Sequence, residues 1–294
     1  MIPCFTTITK TLFTAGVLFG MLACGQQPGA RKEATDPPAR SFPYALDKPQ
    51  RFTLPRILNE ISGISFRNGL SDTVYAEQDE LGTLFRFRPG GPSMVETRFG
   101  KKGDYEDIQV GNEEVFVLRS DGVISRFPMP GGAERVEAQT IEGILPSGEY
   151  EGMYLDAASN KLYVLCKHCD EKPHKTNTGY IFSTAGGQLQ PAGSFILSVE
   201  VIAGKAGKKK LDFAPSALAW NGRLKQWFII SSVNKLLVVA GPDWTVQDSY
   251  PLDPGLYNQP EGIAFDQAGN LYISNEKGGS PAATLLKITY HPAP

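Results

Sequence analysis

One unit recurs five times along this chain, and the repetition constrains the fold more than any other feature. Five segments share a short apolar core around a small residue: Glu60-Ile-Ser-Gly-Ile-Ser-Phe66, Asp104-Tyr-Glu-Asp-Ile-Gln-Val110, Glu149-Tyr-Glu-Gly-Met-Tyr-Leu155, Ala214-Pro-Ser-Ala-Leu-Ala-Trp220 and Gln259-Pro-Glu-Gly-Ile-Ala-Phe265. Their starts lie 44, 45, 65 and 45 residues apart. Each is followed by a second apolar run, such as Val74-Tyr-Ala-Glu77 or Leu271-Tyr-Ile-Ser274, and then by a third, such as Leu84-Phe-Arg-Phe87 or Leu285-Leu-Lys-Ile288. Turn clusters such as Asp156-Ala-Ala-Ser-Asn160 and Asp266-Gln-Ala-Gly-Asn270 separate them.

Short β-branched and aromatic runs between such turns are strands, and no stretch after residue 48 carries a long 3.6-residue period. The 31 Gly and 22 Pro stand well above ordinary usage of about 12 % and supply the turns. A period near 45 residues with three or four strands per unit predicts an all-β fold, a single β-propeller of five blades. A degenerate sixth blade has room in the 65-residue interval. The last unit stops after its third strand, whereas Arg51-Phe-Thr-Leu54 precedes the first motif as an outer strand precedes each later one. Residues 50–55 are therefore expected to close the ring as the fourth strand of the last blade, leaving no free edge. Losing them should unfold the protein, whereas losing residues 25–45 should not. Extra material is expected at Cys166–Thr178 and at Val201–Asp212, the latter carrying Lys205, Lys208, Lys209 and Lys210.

The first 24 residues read as an address. An apolar run from Thr11 to Ala23 follows Lys10; it is too short to span a bilayer but suits a signal-peptide core. It ends in Met21-Leu22-Ala23-Cys24-Gly25, which resembles a bacterial lipobox with Cys24 as the lipidated residue. Each buried methylene of an acyl chain contributes about 0.8 kcal/mol, so a multiply acylated Cys24 anchors durably. Gly25 is not the Asp that favours inner-membrane retention in enteric-type lipoproteins, which points to the outer membrane. Residues 25–48, rich in Pro, Gly and charge, read as a flexible tether. The expected organisation is thus signal peptide 1–24, tether 25–48 and propeller 49–294.

With 29 Lys and Arg against 31 Asp and Glu, the formal net charge is −2, which excludes a nucleic-acid binder acting through bulk charge. The charges segregate. In a propeller the first strand of each blade lines the channel, and residues two apart share a face. That pairs Asp104 with Glu106, Glu149 with Glu151, and Gln259 with Glu261, with Glu60 beside Ser62. Just beyond the second strands lie Asp79, Arg119, Lys167 and Glu276. Converging carboxylates repel unless a cation joins them, and Ca²⁺, with six to eight oxygen ligands in flexible geometry, suits such a ring. The competing reading has these carboxylates hydrogen-bonding neighbouring blades or pairing with Arg119 and Lys167.

At these same residues the chain resembles the SdiA-regulated (YjiK-like) propeller family. Glu60-Ile-Ser-Gly-Ile followed by Tyr75-Ala-Glu-Gln-Asp-Glu80, then Tyr150-Glu-Gly-Met and Gln259-Pro-Glu-Gly-Ile-Ala-Phe265, carry the likeness, which spans roughly residues 50–290. It implies an exported or lipid-anchored bacterial propeller with calcium as its associated ion, and it implies no established activity. Asp107 stands where the pattern expects Gly, and Ala214-Pro-Ser-Ala217 has no acid, so the ring is not symmetric.

Cys166-Lys-His-Cys169 allows a zinc site with His168 and His174 or a local disulfide; an oxidising compartment favours the disulfide. There are three His and no G-x-S-x-G elbow, so a Ser-His-Asp triad finds little support. The expected function is a membrane-anchored binding or interaction module, acting as a monomer on a small-molecule or protein ligand, with calcium in or near the channel. The alternative is a metal-dependent hydrolase of lactonase, esterase or phosphoesterase type using the same carboxylates.

Overall fold

A computed structural model describes residues 42–169 and 175–292; the signal peptide, Cys24 and tether residues 25–41 lie outside the described residues. Five four-stranded antiparallel sheets follow one another along the chain. Blade one comprises β2 (Ile61–Ser65), β3 (Val74–Gln78), β4 (Leu81–Phe87) and β5 (Met94–Arg98). Blade two holds β6 (Tyr105–Val110), β7 (Glu114–Arg119), β8 (Ile124–Pro128) and β9 (Gln139–Ile141). Blade three holds β10 (Glu149–Asp156), β11 (Lys161–His168), β12 (Thr176–Ser183) and β13 (Gln190–Ser198). Blade four holds β14 (Ala217–Asn221), β15 (Gln226–Ser231), β16 (Leu236–Ala240) and β17 (Val246–Pro251). Blade five is completed by the N-terminal β1 (Gln50–Thr53), which joins β18 (Pro260–Phe265), β19 (Leu271–Asn275) and β20 (Thr284–Ile288). The first strand of each blade contacts that of the next, and β18 returns to β2, so the ring closes. Among its described residues the long interval before blade four contains no sixth sheet; it carries α1 (Val199–Lys205), started by Ser198, whose side chain accepts from the Val201 N–H.

Strand alternation dictates where the core sits. Each sheet turns one set of side chains toward the preceding blade and the other toward the following one, giving five apolar clusters, one per blade interface. Ala217, Phe228, Ile230 and Val239 of blade four meet Ile263, Leu271, Ile273 and Leu286 of blade five. Leu58, Ile61, Ile64 and Phe85 meet Tyr272 and Leu285 across the closing interface.

The described part of the expected tether belongs to the fold. Tyr44 is buried in the interface between blades four and five, donates to the Gly269 carbonyl at 2.8 Å and accepts from Asn221 Nδ2 at 2.6 Å. Phe42 stacks on Tyr250 at 3.8 Å, and Tyr257 donates to the Leu46 carbonyl at 2.8 Å. Composition alone marked residues 42–48 as linker because Pro and charge interrupt them; two aromatic rings suffice to dock them. Truncation is therefore expected to be tolerated only to about residue 41, short of the 45 that composition suggested.

The glycines of the repeat have a packing reason. A Cβ on Gly63 would lie 2.6 Å from the Asp107 Cα, and one on Gly152 would lie 2.8 Å from Leu218 Cδ2 and 3.3 Å from the Ala217 Cα. In both cases the inner strand of one blade touches that of the next with no room for a side chain. Gly63→Ala is accordingly expected to cost about 1–3 kcal/mol through overpacking, read by urea denaturation; an unchanged midpoint would show that the inner strands have slack. Asp107, which replaces glycine in blade two, sends its carboxylate across the interface: Oδ2 accepts from the Met153 N–H at 2.6 Å and Oδ1 from its own neighbour Ile108 N–H at 2.7 Å.

Candidate functional site

A repeated irregularity aims the acids. In β10 the pairing with β11 skips from Tyr150 to Gly152, in β6 the pairing with β7 skips from Tyr105 to Asp107, and in β18 the pairing with β19 skips from Pro260 to Gly262. The residues left out are Glu151, Glu106 and Glu261; in blade one the corresponding break spans Ser62 and Gly63. A bulge turns the extra residue off the ladder and re-aims its side chain. Ser62, Glu106, Glu151, Ser216 and Glu261 thus converge on one cavity of about 390 Å³ at one end of the channel. Asp79, Asp104, Lys167, Gln259 and Glu276 complete its polar lining together with Ser232 and Lys235. At the opposite end, Ser65, Phe66, Gln109, Tyr154, Trp220 and Phe265 help to line a cavity of about 260 Å³ with no charged side chain. The ionic chemistry is confined to one mouth.

Within the acidic mouth, Glu60, Asp79 and Glu276 offer ligand atoms within 4.8 Å of one another. Gln259 Nε2 donates to Glu276 Oε2 at 2.5 Å. The buried Oδ1 of Asp79 has no hydrogen-bond partner. Burial, reinforced by Glu60, Glu80 and Asp104, pushes Asp79 up to about 6. Burial, a hydrogen bond shared with Glu60 and the nearby charge of Glu261 push Glu276 up to about 8. Deeper in, burial and the neighbouring Glu151 and Asp104 push Glu106 up to about 10. Burial also raises Glu151, against the pull of Lys167, to about 8, and raises Glu261, which hydrogen bonds from Ser232 counteract. Beneath the cavity, Glu77 is completely buried and accepts from the Gly63 N–H at 2.6 Å. Burial raises both Glu77 and Asp107 well above the usual carboxylate range, against the backbone N–H groups of Gly63 for Glu77 and of Met153 and Ile108 for Asp107.

The remaining expected residues divide. Lys167 lies between Glu149, 3.1 Å away, and Glu151, with which it makes a close ion pair. Glu149 also meets His168 Nδ1 at 2.7 Å; burial works against its charge, but these two hydrogen bonds hold it below its ordinary value. Asp104 sits in the lining and accepts from Ser120 Oγ at 2.5 Å. Arg119 does not join the mouth. It pairs with Asp121 at 2.6 Å, and the position equivalent to Asp79 and Glu276 is Ser120. The backbone shows the equivalence: the N–H groups of Asp79, Ser120 and Glu276 donate to the carbonyls of Glu60, Asp104 and Gln259. A slip of one residue along a strand moves a side chain to the other face, which is how Arg119 came to be expected there. Cys166 and Cys169 form a disulfide, with Cα atoms 5.9 Å apart, that brackets Lys167 and His168 at the rim. Both sulfurs are thereby spent as metal ligands, and His174 lies outside the described residues.

Sequence reasoning missed Lys235, Ser216, Ser232 and Val233, all in the cavity lining. The signal that could have found them is blade four's own hairpin: counting past its second strand as in the other blades leads to Ser232 and its neighbours.

No family model matches the chain, and no curated protein matches it. Among solved structures, the glutaminyl cyclase of Myxococcus xanthus superposes with a TM-score of 0.55 at 14 % identity, covering 83 % of this chain and 96 % of its own. A luciferin-regenerating enzyme gives 0.49 at 14 % identity, covering 84 % of this chain and 82 % of its own. A chain of a nidogen/laminin complex gives 0.49 at 14 % identity, covering 73 % and 72 %. At these identities the likeness is one of fold alone, and a fold does not assign a function.

Proposed function

We propose that the protein is a binding module, held at the outer membrane by a lipid on Cys24, whose acidic channel mouth takes a calcium ion between Glu60, Asp79 and Glu276. The observation that carries this reading is the trio itself: three carboxylates within 4.8 Å, one of whose oxygens is buried and unpartnered. Three ionised carboxylates at that spacing repel, and either shared protons or a cation relieves the repulsion. A hard divalent ion accepts all three as oxygen ligands, and water completes a set of six to eight. A small-molecule or protein ligand then meets the ion in a 390 Å³ cavity.

Saturating calcium, at about 100 times its dissociation constant, is expected to stabilise the fold by about 2.7 kcal/mol. For a domain of this size that corresponds to roughly 5–10 °C in Tm. Asp79→Asn should lose most of the shift while still melting cooperatively. A wild-type Tm that ignores calcium would overturn the reading. The anchor is tested separately: Cys24→Ser should abolish labelling by palmitate and release the protein from the membrane fraction. A variant that stays labelled and sediments with membranes would sink that part.

A second reading, metal-dependent hydrolysis, is favoured by one observation. Glu106 keeps its proton at neutral pH beside Glu151, the protonation state a general acid needs. It requires turnover of a lactone, ester or phosphoester that Glu151→Gln abolishes.

A further inference from the structure

Blade four breaks the pattern of the cavity wall. Every other blade brings at least one carboxylate to the mouth; blade four brings Ala214 and Ser216, and its β15–β16 turn adds Ser232, Val233 and Lys235. Two lysines line the cavity, and they are differently employed. Lys167 is held by Glu149 and Glu151. Lys235 has no carboxylate ion pair among the described residues: its Nζ donates to the Ser232 carbonyl at 2.5 Å, which leaves two of its three donors for a ligand. Partial burial lowers its pKa against the pull of Glu261, and its side chain lines the cavity. Beside it Val233 is 70 % exposed, the most exposed large apolar side chain among the described residues. An ammonium and a bare isopropyl group at one rim match a ligand with a small anionic head and a short apolar tail.

Glu261 of blade five borders this wall, hydrogen-bonded to Ser216 and Ser232 and within the field of Lys235. Together with Asp79 and Glu276 it repels an incoming anion as long as these acids are ionised and unneutralised. Once a divalent ion occupies the trio, the mouth would offer two positive centres, the ion and Lys235, since Asp79, Glu276 and Lys235 line one small cavity.

We infer that the blade-four wall is an anion subsite: a small aliphatic carboxylate binds with its head between the calcium ion and Lys235 and its chain on Val233, and it binds only after calcium. A monocarboxylate fits a single lysine with two spare donors; a phosphate dianion, with more acceptors and more charge, needs a richer donor set than this wall provides. This inference rests on the calcium reading and adds to it the class of ligand and the order of binding.

Calorimetry on the mature full-length protein tests it, with calcium alone as the first titrant and acetate, butyrate and hexanoate as the second. Butyrate is expected to bind the calcium-loaded protein and not the protein in chelator, with affinity rising up to about fourfold per added methylene while the chain covers Val233. Lys235→Gln should weaken butyrate at least tenfold while calcium still binds, Lys235→Arg should restore most of the loss, and Val233→Ser should flatten the chain-length dependence. Butyrate binding in chelator, equal butyrate affinity in Lys235→Gln, or inorganic phosphate binding in preference to butyrate would each overturn the inference. Calcium-loaded protein that ignores every carboxylate sinks the inference alone; protein that binds no calcium sinks the calcium reading and the inference with it.

Discussion

A chain that begins at residue 56 is expected to yield no cooperative unfolding transition, whereas one that begins at residue 42 should melt within about 2 °C of the mature protein. The difference is the closing strand. β1 pairs with β20 from Gln50↔Lys287 to Thr53↔Thr284, so its loss uncovers a whole strand edge and ends the ring as an open sheet. It also removes Leu54, and with it the cover over Ala283 and Leu285, from the interface between blades five and one. A chain beginning at Asp47 keeps β1 but loses Tyr44, whose ring and two hydrogen bonds tie blade four to blade five. Losing a buried aromatic costs about 3–5 kcal/mol, a large share of a domain's 5–15 kcal/mol. It should still unfold cooperatively, but with a lower melting temperature than the chain that begins at residue 42. Circular dichroism melts of the three chains check the order, and a chain from residue 56 that melts like the mature protein would refute closure by β1.

The second large effect is on pH. Glu276, Glu151 and Glu106 have folded pKa values near 8, 8 and 10, and Asp79 near 6, all above their unfolded values. Between the unfolded and folded values the native state therefore binds more protons than the unfolded chain, and stability falls as pH rises. In chelator, Tm should decline from about pH 5 to pH 8, the window in which Asp79, Glu276 and Glu151 titrate. If calcium binds as proposed, it should reverse the trend, because it would take the place of the protons. Its affinity should rise over the same window, and its stabilisation should be nearly absent at pH 5. At pH 7, binding should release close to one proton, chiefly from Glu276, measured by calorimetry in buffers of different ionisation enthalpy. A calcium increment in Tm that is constant from pH 5 to pH 8 would separate the ion from these carboxylates.

Much of the architecture was legible in particular residues. The recurrence of Glu60-Ile-Ser-Gly, Tyr150-Glu-Gly and Pro260-Glu-Gly along the chain set the number of inner strands, and the missing fourth strand after Ile288 pointed to Gln50–Thr53. Strand formation and blade count follow from apolar alternation and turn residues, both of which are local. Tyr44 was not legible as part of the fold, because its burial depends on Gly269 and Asn221, more than 170 residues away.

The candidate site divides in the same way. The residue types were readable, since Glu106, Glu151 and Glu261 occupy one position of the repeat. Their aim was not. Simple alternation puts these residues on a regular ladder, whereas the structure lifts each off the ladder at a bulge, beside Gly152 and Gly262 in two blades and beside Asp107 in the third. The same long-range register set Ser120, and not Arg119, against Asp104 of the lining, and brought Lys235 and Val233 to a wall where the repeat had lost its acid. By itself, then, the sequence determined that a propeller of at least five repeated units forms and that four of their inner-strand motifs carry carboxylates, because strand period and repeat length are properties of neighbouring residues; the absence of a sixth sheet among the described residues came from the structure. Which carboxylates meet, which keep their protons and which lysine stays free of them was decided only by the closed ring, because burial and charge act between residues that only the ring brings together.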